Sequence, residues 1–305
     1  AILAQVKGLA LVPTRAASVS GAMAAAPPRV DWRDPHSISS QLDAATSEAI
    51  VTRLESRGRD PIFRSLFDTY FPALRSGCSD VLEIGAGTGV VARALAASGY
   101  TGRLLGTDQS RVFVDAAERL AAAEGAPPGI LRFAVADART LRADVGPGNF
   151  DGVIMHTLIS HVEDPLLVLR AARDVAKPGA LLAVVDGDYT GLAYHSPTKT
   201  RLSEAMSRAL VAATFASPAV VRELPALLAK SGWAIESASG KCVSEIGGDF
   251  RYWKSFAEAY MPRVSGSGAV AEAEVREWWE DQLELVERRE FFAACTYYTI
   301  MARAV

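Results

Sequence analysis

Short apolar runs alternate with helix-like segments through the middle of the chain, from Asp80 to Asp186. Apolar runs bounded by turn residues are typical of buried parallel strands, whereas the segments between them repeat apolar residues at helical spacing. Strands that alternate with helices through short loops form a parallel sheet with right-handed crossovers. We therefore predict five strands in this region, within the segments VLEI, LLGTD, ILRFAVAD, NFDGVIMHTL and GALLAVVDGD.

On both sides of this alternating region the pattern favours helices. Before it, an apolar stripe at 42, 45, 50 and 54 predicts a helix over 39–57. A second helix is predicted to begin at Pro61, because proline is favoured in the first helical turn. After the alternating region, helices are predicted at 198–217, 218–231, 249–262 and 270–290, and two further strands at 232–243 and 291–305.

The turn after the first strand is rich in glycine. The sequence VLEIGAGTG covers 81–89 and has glycines at 85, 87 and 89, and a helix is predicted to follow from Val90. Glycine adopts backbone conformations that other residues resist and lets a ligand approach the backbone closely. A strand, a glycine turn and a helix in this order indicate a binding site for a nucleotide-type cofactor. The glycines alone do not tell one cofactor of this type from another.

Polar side chains lie at or near the carboxyl ends of all five strands. These residues are Glu83, Asp108, Asp137, His156 and Asp186. Ligands of open α/β sheets bind outside the carboxyl ends of the strands, where the strand order reverses, so these residues predict one binding crevice. An acid at the end of the second strand, here Asp108, commonly bonds the hydroxyls of a ribose.

This succession of motifs resembles the class I S-adenosylmethionine-dependent methyltransferases. The resemblance rests on the turn E-x-G-x-G-x-G at 83–89, Asp108, Asp137 with Ala136, the strand FDGVIMH at 150–156 and the turn KPGALL at 177–182. It covers roughly residues 60–190 well. More narrowly, residues 156–191 look like the small-molecule branch of the family found in ubiquinone and menaquinone biosynthesis.

The resemblance implies an α/β fold with a doubly wound, Rossmann-like sheet. We expect seven mostly parallel strands, with the last strand antiparallel, together with N-terminal helices and helical lid inserts. We expect an N-terminal extension at 1–38 and a methyltransferase domain at 39–305, with lid inserts at about 190–231 and 249–290.

The resemblance also implies the cofactor, S-adenosyl-L-methionine, and the residues that would bind it. Glu83 would organise the glycine turn or meet the ammonium group, Asp108 would accept the ribose hydroxyls, and Asp137 with the Ala138 amide would recognise the adenine. The full predicted set is Glu83, Gly85, Ala86, Gly87, Thr88, Gly89, Asp108, Gln109, Ala136, Asp137, Ala138 and His156.

Methyl transfer is an in-line displacement in which the protein mainly aligns the reactants. Some acceptors also need a base, and His161 is the candidate because imidazole titrates near neutral pH. The candidate substrate contacts are Asp188, His195, Tyr252 and Trp253. The Trp278–Trp279 pair either packs the insert on the sheet or forms the face of a homodimer.

Composition narrows the classes of partner. Lys and Arg number 32 against 35 Asp and Glu, a net charge of −3 that offers no general attraction to nucleic acid. No metal cluster and no membrane span are predicted, and three isolated cysteines favour a reducing compartment. The segment before Asp31 lacks acids, which is typical of an organelle transit peptide and equally of an Ala-rich helix. We expect a cytoplasmic protein, with an organelle as the alternative.

Two other functions stay open. A nicotinamide dehydrogenase would use a similar sheet but favours a separate constellation such as Tyr-x-x-x-Lys, which the sequence lacks. A non-methylating relative that binds the cofactor for structure or regulation would keep the same glycine turn. The acceptor, and whether its oxygen, nitrogen or carbon receives the methyl group, also stays open.

Overall fold

The computed structural model describes residues 44–127 and 129–305, and side chains from residue 47 onward. The predicted extension at 1–38 and the first residues of the helix predicted at 39–57 lie outside the described residues. The strands are β1 (Asp80–Ile84), β2 (Arg103–Asp108), β3 (Leu131–Val135), β4 (Phe150–His156), β5 (Ala176–Gly187), β6 (Ala193–Tyr194), β7 (Trp233–Gly247) and β8 (Phe291–Ala304). The helices are α1 (Ala44–Arg59), α2 (Pro61–Arg64), α3 (Phe71–Gly77), α4 (Val90–Ala97), α5 (Arg111–Ala123), α6 (Leu141–Val145), α7 (Pro165–Val175), α8 (Thr200–Ala212), α9 (Val220–Lys230), α10 (Tyr252–Ser267) and α11 (Glu272–Glu287).

The strands form one sheet in the order β3-β2-β1-β4-β5-β8-β6, with β7 also paired to β8. Strands β1 to β5 are parallel, and β8 runs antiparallel to β5 and β7. This confirms the predicted mostly parallel α/β sheet with its antiparallel last strand. The structure adds an eighth strand, β6, whose two residues pair with Ala293 and Ala294 of β8. A strand of two residues has no periodicity that a sequence pattern could detect.

The strand order reverses between β1 and β4, and both strands end near the same edge. Glu83 of β1 pairs with Gly106 of β2 on one side and with Ile154 of β4 on the other. The chain then continues outward from β2 to β3 and from β4 to β5. The glycine turn after β1 therefore lies at the topological switch point, where ligands of such sheets bind.

Helices cover both faces of the sheet. Residues of α7 and α9 pack with Val153, Met155 and Val184 on one face, and residues of α3 and α4 pack with Val81 and Ile154 on the other. The helices of the predicted lid inserts fall into two groups in the structure. Helix α9 packs against α7 and β7 as part of the layer over the sheet, whereas α8, α10 and α11 contact one another outside that layer.

Helix α1 lies over the carboxyl edge of the sheet, where it contacts α4, α5 and α10. Its approach to α4 is close, since a Cβ on Gly58 would lie 2.4 Å from Val90 Cγ1. Helix α1 thus contacts both the helices α4 and α5, which lie between the parallel strands, and α10, which follows β7. No helix among the described residues is both long enough and apolar enough to cross a bilayer.

Candidate functional site

The glycine turn between β1 and α4 takes its shape from three left-handed residues. Gly85, Gly87 and Gly89 have φ angles of +70°, +55° and +75°, a region that residues with a Cβ rarely adopt. Space is equally restrictive, because a Cβ on Gly85 would lie 2.6 Å from Leu158 Cδ1 and one on Gly89 would lie 2.4 Å from Phe133 Cζ. Glycine is therefore required both by the backbone and by the close approach of neighbouring elements.

Asp108, at the end of β2, is bonded to this turn. The Gly87 N–H donates to Asp108 Oδ2 at 2.9 Å, and the Ser110 N–H donates to Oδ1 at 2.9 Å. The carboxylate is partly buried, and Gln109 beside it is exposed at the rim. The amides hold both acceptor oxygens in a fixed orientation, the geometry that the predicted contact with two ribose hydroxyls needs.

Backbone hydrogen bonds join the neighbouring strand ends. The Ala86 N–H donates to the Thr107 carbonyl at 2.8 Å, and the Ala136 N–H donates to the Asp108 carbonyl at 3.0 Å. The turn after β1 and the turn after β3 are thereby anchored to β2. Three of the predicted cofactor segments form one continuous edge.

Glu83 is buried beside the turn. Its Oε2 accepts the Ala92 N–H at 2.9 Å, in the first turn of α4. Burial raises the pKa of the Glu83 carboxyl from 4.5 to about 8; the Ala92 amide opposes this rise and the negative charge of Asp108 adds to it. Of the two roles predicted for Glu83, its contact with α4 matches the organisation of the turn.

Asp137 follows β3 and forms an ion pair with Arg139. The Arg139 side chain donates to the Asp137 carboxylate through Nε at 3.0 Å and Nη2 at 2.6 Å. These bonds lower the pKa of Asp137, which keeps the carboxylate ionised. The Arg139 side chain is exposed, whereas Asp137 and the neighbouring Ala138 are partly buried. An ion pair with an exposed partner contributes little to stability, so a ligand can displace the arginine at small cost.

A buried ion pair fastens α1 to the glycine turn. Glu55 Oε1 accepts hydrogen bonds from Thr88 Oγ1 at 2.6 Å and from Arg93 Nη2 at 2.6 Å. Arg93 also pairs with Glu124 through Nη1. Removing one partner of a buried ion pair leaves an uncompensated charge, so this contact resists opening. Sequence reasoning missed it, because the predicted stripe of α1 was defined by its apolar residues and Glu55 carried no sign of burial.

His156 lies in an aromatic cluster. Its ring centroid is 4.8 Å from that of Phe63 and 5.6 Å from that of Phe67, and its Nδ1 is 2.8 Å from the Tyr70 hydroxyl. Burial, with the nearby charge of Arg57, lowers the pKa of His156 to about 3, so the ring is neutral at physiological pH. The structure thus places this predicted cofactor residue among the side chains of α2 and of the turn between α2 and α3.

A cavity of about 500 Å³ lies between α1, the start of α10 and the segments that follow β4 and β5. His161 and Tyr252, predicted for catalysis and substrate binding, both line it, as do Tyr189 and Tyr297. The volume suits a small organic molecule.

Two residues that follow β4, Thr157 and Leu158, connect the glycine turn with this cavity. The Leu158 side chain lies against Gly85, and Thr157 Oγ1 accepts a hydrogen bond from Arg57 Nη2, a cavity residue, at 3.2 Å. Thr157 has a φ of +52°, which a β-branched residue rarely adopts. Backbone strain of this kind concentrates at ligand sites.

His161 stands beside a buried carboxylate. Asp186, at the end of β5, accepts hydrogen bonds from Ser160 N–H and Ser160 Oγ, each at 3.0 Å. Burial raises the pKa of Asp186, and the charge of His161 opposes that rise. The His161 ring also lies 5.1 Å from the ring of Phe215 on the cavity wall. An imidazole beside a buried acid, facing a cavity, is an arrangement suited to accepting a proton.

The other three residues predicted for substrate binding do not line this cavity. Trp253 is fully buried and its indole Nε1 donates to the Val243 carbonyl at 3.2 Å. Asp188 forms an ion pair with Arg222 at 2.7 Å. His195 is exposed next to β6. Of the four, the structure brings only Tyr252 to the cavity.

Comparisons with known proteins agree with this architecture. Residues 82–182 match the family described as Methyltransferase domain. Over 123 residues the chain is 32% identical to a ubiquinone biosynthesis O-methyltransferase of Chromobacterium violaceum. This alignment covers 36% of this chain and 50% of that relative. Over 287 residues it is 26% identical to an uncharacterized 37.1 kDa protein in a transposon of Streptomyces fradiae, covering 89% of this chain and 77% of that protein.

Among solved structures, a candidate methyltransferase of Bacillus halodurans shares the fold. The TM-score is 0.53 at 15% identity, with 77% of this chain and 97% of that chain covered. The fold, the glycine turn and the family match over residues 82–182 confirm the predicted resemblance to the class I S-adenosylmethionine-dependent methyltransferases.

Proposed function

We propose that the protein transfers a methyl group from S-adenosylmethionine to a small organic acceptor bound in the cavity beside His161. One observation carries the proposal. The glycine turn is hydrogen-bonded to Asp108, and Gly85 of the same turn lies against Leu158. Thr157, the residue before Leu158, accepts a hydrogen bond from Arg57, which lines the cavity. These contacts would make the proposed nucleoside site and the proposed acceptor site contiguous, as a transfer between two bound molecules requires.

The residues at the carboxyl edge fit this cofactor. A Cβ on Gly85 or Gly89 would lie within 2.6 Å of a neighbouring side chain, so the backbone of this turn is assigned to the methionine end, while the Asp108 carboxylate provides paired acceptors for the ribose. We assign the adenine to the Ala138 amide and to Asp137, whose exposed partner Arg139 the ligand would displace. The cofactor supplies an electrophilic methyl group on a positively charged sulfur.

The remaining chemistry belongs to the chain itself. His161 accepts the proton of a hydroxyl acceptor, with Asp186 stabilising the resulting imidazolium. Helix α1, fastened by Glu55, closes the site and limits the access of water. The similarity to an O-methyltransferase makes an oxygen nucleophile the first acceptor atom to test.

Calorimetric titration with S-adenosylhomocysteine tests the cofactor assignment. Asp108→Asn should weaken binding about 10- to 100-fold, since a hydrogen bond to a charged group contributes about 1.5–3 kcal/mol. Asp151→Asn is the matched control, because Asp151 Oδ1 also accepts two amides, those of Ser79 and Asp80, each at 2.8 Å, but at the opposite edge of the sheet. Equal affinities of the two variants would refute the assignment.

Transfer of a labelled methyl group separates the remaining alternatives. Binding of S-adenosylhomocysteine without transfer to any acceptor in a small-molecule panel would identify a non-methylating relative. Binding of NADH in its place would identify a dehydrogenase. Transfer that is lost in Asp108→Asn and retained in Asp151→Asn is the result that the proposal requires.

A further inference from the structure

The cavity has the opposite charge to the chain as a whole. The sequence carries a net charge of −3, yet among the described residues that line the cavity, His161 aside, five are cationic and two are acidic. The cations are Arg53, Arg57, Arg59, Arg251 and Lys254, and the acids are Asp60 and Glu258. Glu258 is paired with Lys254 at 3.4 Å. The local field therefore favours an anion.

Arg57 is oriented in this cavity by neutral groups. Its Nη2 donates to Thr157 Oγ1 at 3.2 Å, and its Cζ lies 4.8 Å from the centroid of the Phe63 ring. Its Nε is buried without a hydrogen-bond partner, and within the described part of the chain no carboxylate pairs with it. A partly buried cation without a counterion is unfavourable, so a ligand carboxylate would improve this site.

Three tyrosines add a hydrogen-bond donor to the same cavity. The Tyr189 hydroxyl donates to the Tyr297 hydroxyl at 3.3 Å, and the hydroxyls of Tyr252 and Tyr297 are 2.9 Å apart. Three hydroxyl protons serve two bonds, so one O–H remains for a ligand whichever way the second bond runs. Burial raises the pKa of all three phenols, which keeps them protonated.

The walls of the cavity are flat and aromatic. Phe215 stacks on Tyr189 with centroids 3.5 Å apart and 12° between the ring planes. Phe256 lies parallel to Phe215 at 6.0 Å, and Tyr260 lies 5.1 Å from Phe256. Aligned rings of this kind favour a planar ligand with a large apolar face.

We propose that the cavity selects a planar aromatic acid as the methyl acceptor, with its ring against the edges of these aromatic side chains and its carboxylate paired to Arg57 and the spare tyrosine proton. The inference rests on the proposed function only in making this ligand the acceptor. Selection of an acid over a neutral molecule of the same shape is a property of the cavity alone.

Two probes of nearly equal shape test the selection: 4-hydroxybenzoate and its neutral amide, 4-hydroxybenzamide. Each is titrated calorimetrically into the protein at low and high salt. The acid is expected to bind at least tenfold more tightly than the amide, with a smaller ratio at high salt because salt screens the charges. Equal affinities, or no binding of the acid at millimolar concentration, would overturn the inference.

Variants assign the effect to Arg57. Arg57→Gln is expected to reduce the acid to the affinity of the amide, whereas Arg119→Gln, an exposed position of α5 outside the cavity, leaves the ratio unchanged. If a thermal melt shows that Arg57→Gln is unfolded, Arg251→Gln on the exposed rim replaces it, with an expected loss of about threefold. An unchanged ratio in the folded variant contradicts the inference.

S-Adenosylhomocysteine separates the two sources of a carboxylate. If Arg57→Gln weakens this nucleoside tenfold and leaves the acid unaffected, Arg57 serves the tail of the cofactor and the inference is wrong. If the wild-type protein does not bind the nucleoside, the proposed function fails instead. The preference for acid over amide is measured without any cofactor and is judged separately.

Discussion

Replacing Gly89 with alanine tests two requirements for glycine at this position: its backbone conformation and the close approach of the Phe133 ring. Gly89 has a φ of +75°, where a residue with a Cβ costs about 1–2 kcal/mol. The added methyl group would also lie 2.4 Å from Phe133 Cζ and 3.2 Å from Ala117 Cβ. Overpacking in a core costs about 1–3 kcal/mol, so Gly89→Ala should lower the free energy of unfolding by about 2–5 kcal/mol.

Gly99 provides the matched control at the other end of α4. Its φ is +88°, but a Cβ there would meet nothing within 4 Å. Gly99→Ala should therefore cost only the conformational part, about 1–2 kcal/mol. Urea denaturation followed by circular dichroism measures both variants. A smaller loss for Gly89→Ala when Phe133 is also changed to leucine would show coupling between the two sites. Equal losses for the two glycine variants would show that the approach of Phe133 to Gly89 contributes nothing.

Three further predictions concern the buried contact of Glu55 with Thr88 and Arg93, the buried acid Glu83 and the proposed base His161. Glu55→Ala removes the acceptor of both Thr88 Oγ1 and Arg93 Nη2, while Arg93 keeps Glu124, so thermal unfolding should show a loss of about 1–3 kcal/mol and calorimetry a weaker affinity for S-adenosylhomocysteine; an unchanged melting temperature would contradict a stabilising role for the Glu55 contact. The raised pKa of Glu83, about 8 against 4.5, means that the folded state binds more protons than the unfolded state between these values. The stabilisation is therefore present below pH 4.5 and is lost as the pH rises through about 8; Glu83→Gln should flatten this dependence in urea titrations, and an unaltered slope would count against it. His161→Ala should lower kcat about 10²- to 10⁴-fold with cofactor affinity unchanged, whereas His195→Ala, outside the cavity, should leave both unchanged; the reverse order would exclude His161 as the base.

Most of the sheet was predictable because each strand is a short apolar run that ends in a polar residue. The runs before Glu83, Asp108 and His156 match β1, β2 and β4, and the long terminal run matches β8. The glycine spacing also located the start of α4 at Val90. Strand β6 could not be predicted, since a strand of two residues exists only through its pairing with β8.

The orientation of individual side chains was harder to predict. Every residue of β4 except Asp151 is buried, so its sequence does not alternate between polar and apolar, and nothing in it indicated that His156 would lie against Phe63 and Tyr70. The tryptophan in RYWKSF looked available for stacking, but Trp253 is buried with its indole bonded to Val243.

The polar residues of α1 that contact the glycine turn and line the cavity could not be predicted from the sequence either. Glu55 and Arg57 belong to a helix whose pattern is defined by apolar positions, and both act through contacts far along the chain, with Thr88 and Thr157. Long-range contacts of polar side chains leave no periodic signal. The polar residues at the carboxyl edge of the sheet could be derived from motifs, but the lining of the cavity required the fold.

The most direct test of the central claim is a crystal structure of the protein grown with S-adenosylhomocysteine. We expect the ribose hydroxyls within hydrogen-bonding distance of the Asp108 carboxylate, the amino acid tail against Gly85–Gly89 and the sulfur facing the cavity that His161 lines. A ligand bound elsewhere, or a nucleoside at this edge without contact to Asp108, would contradict it.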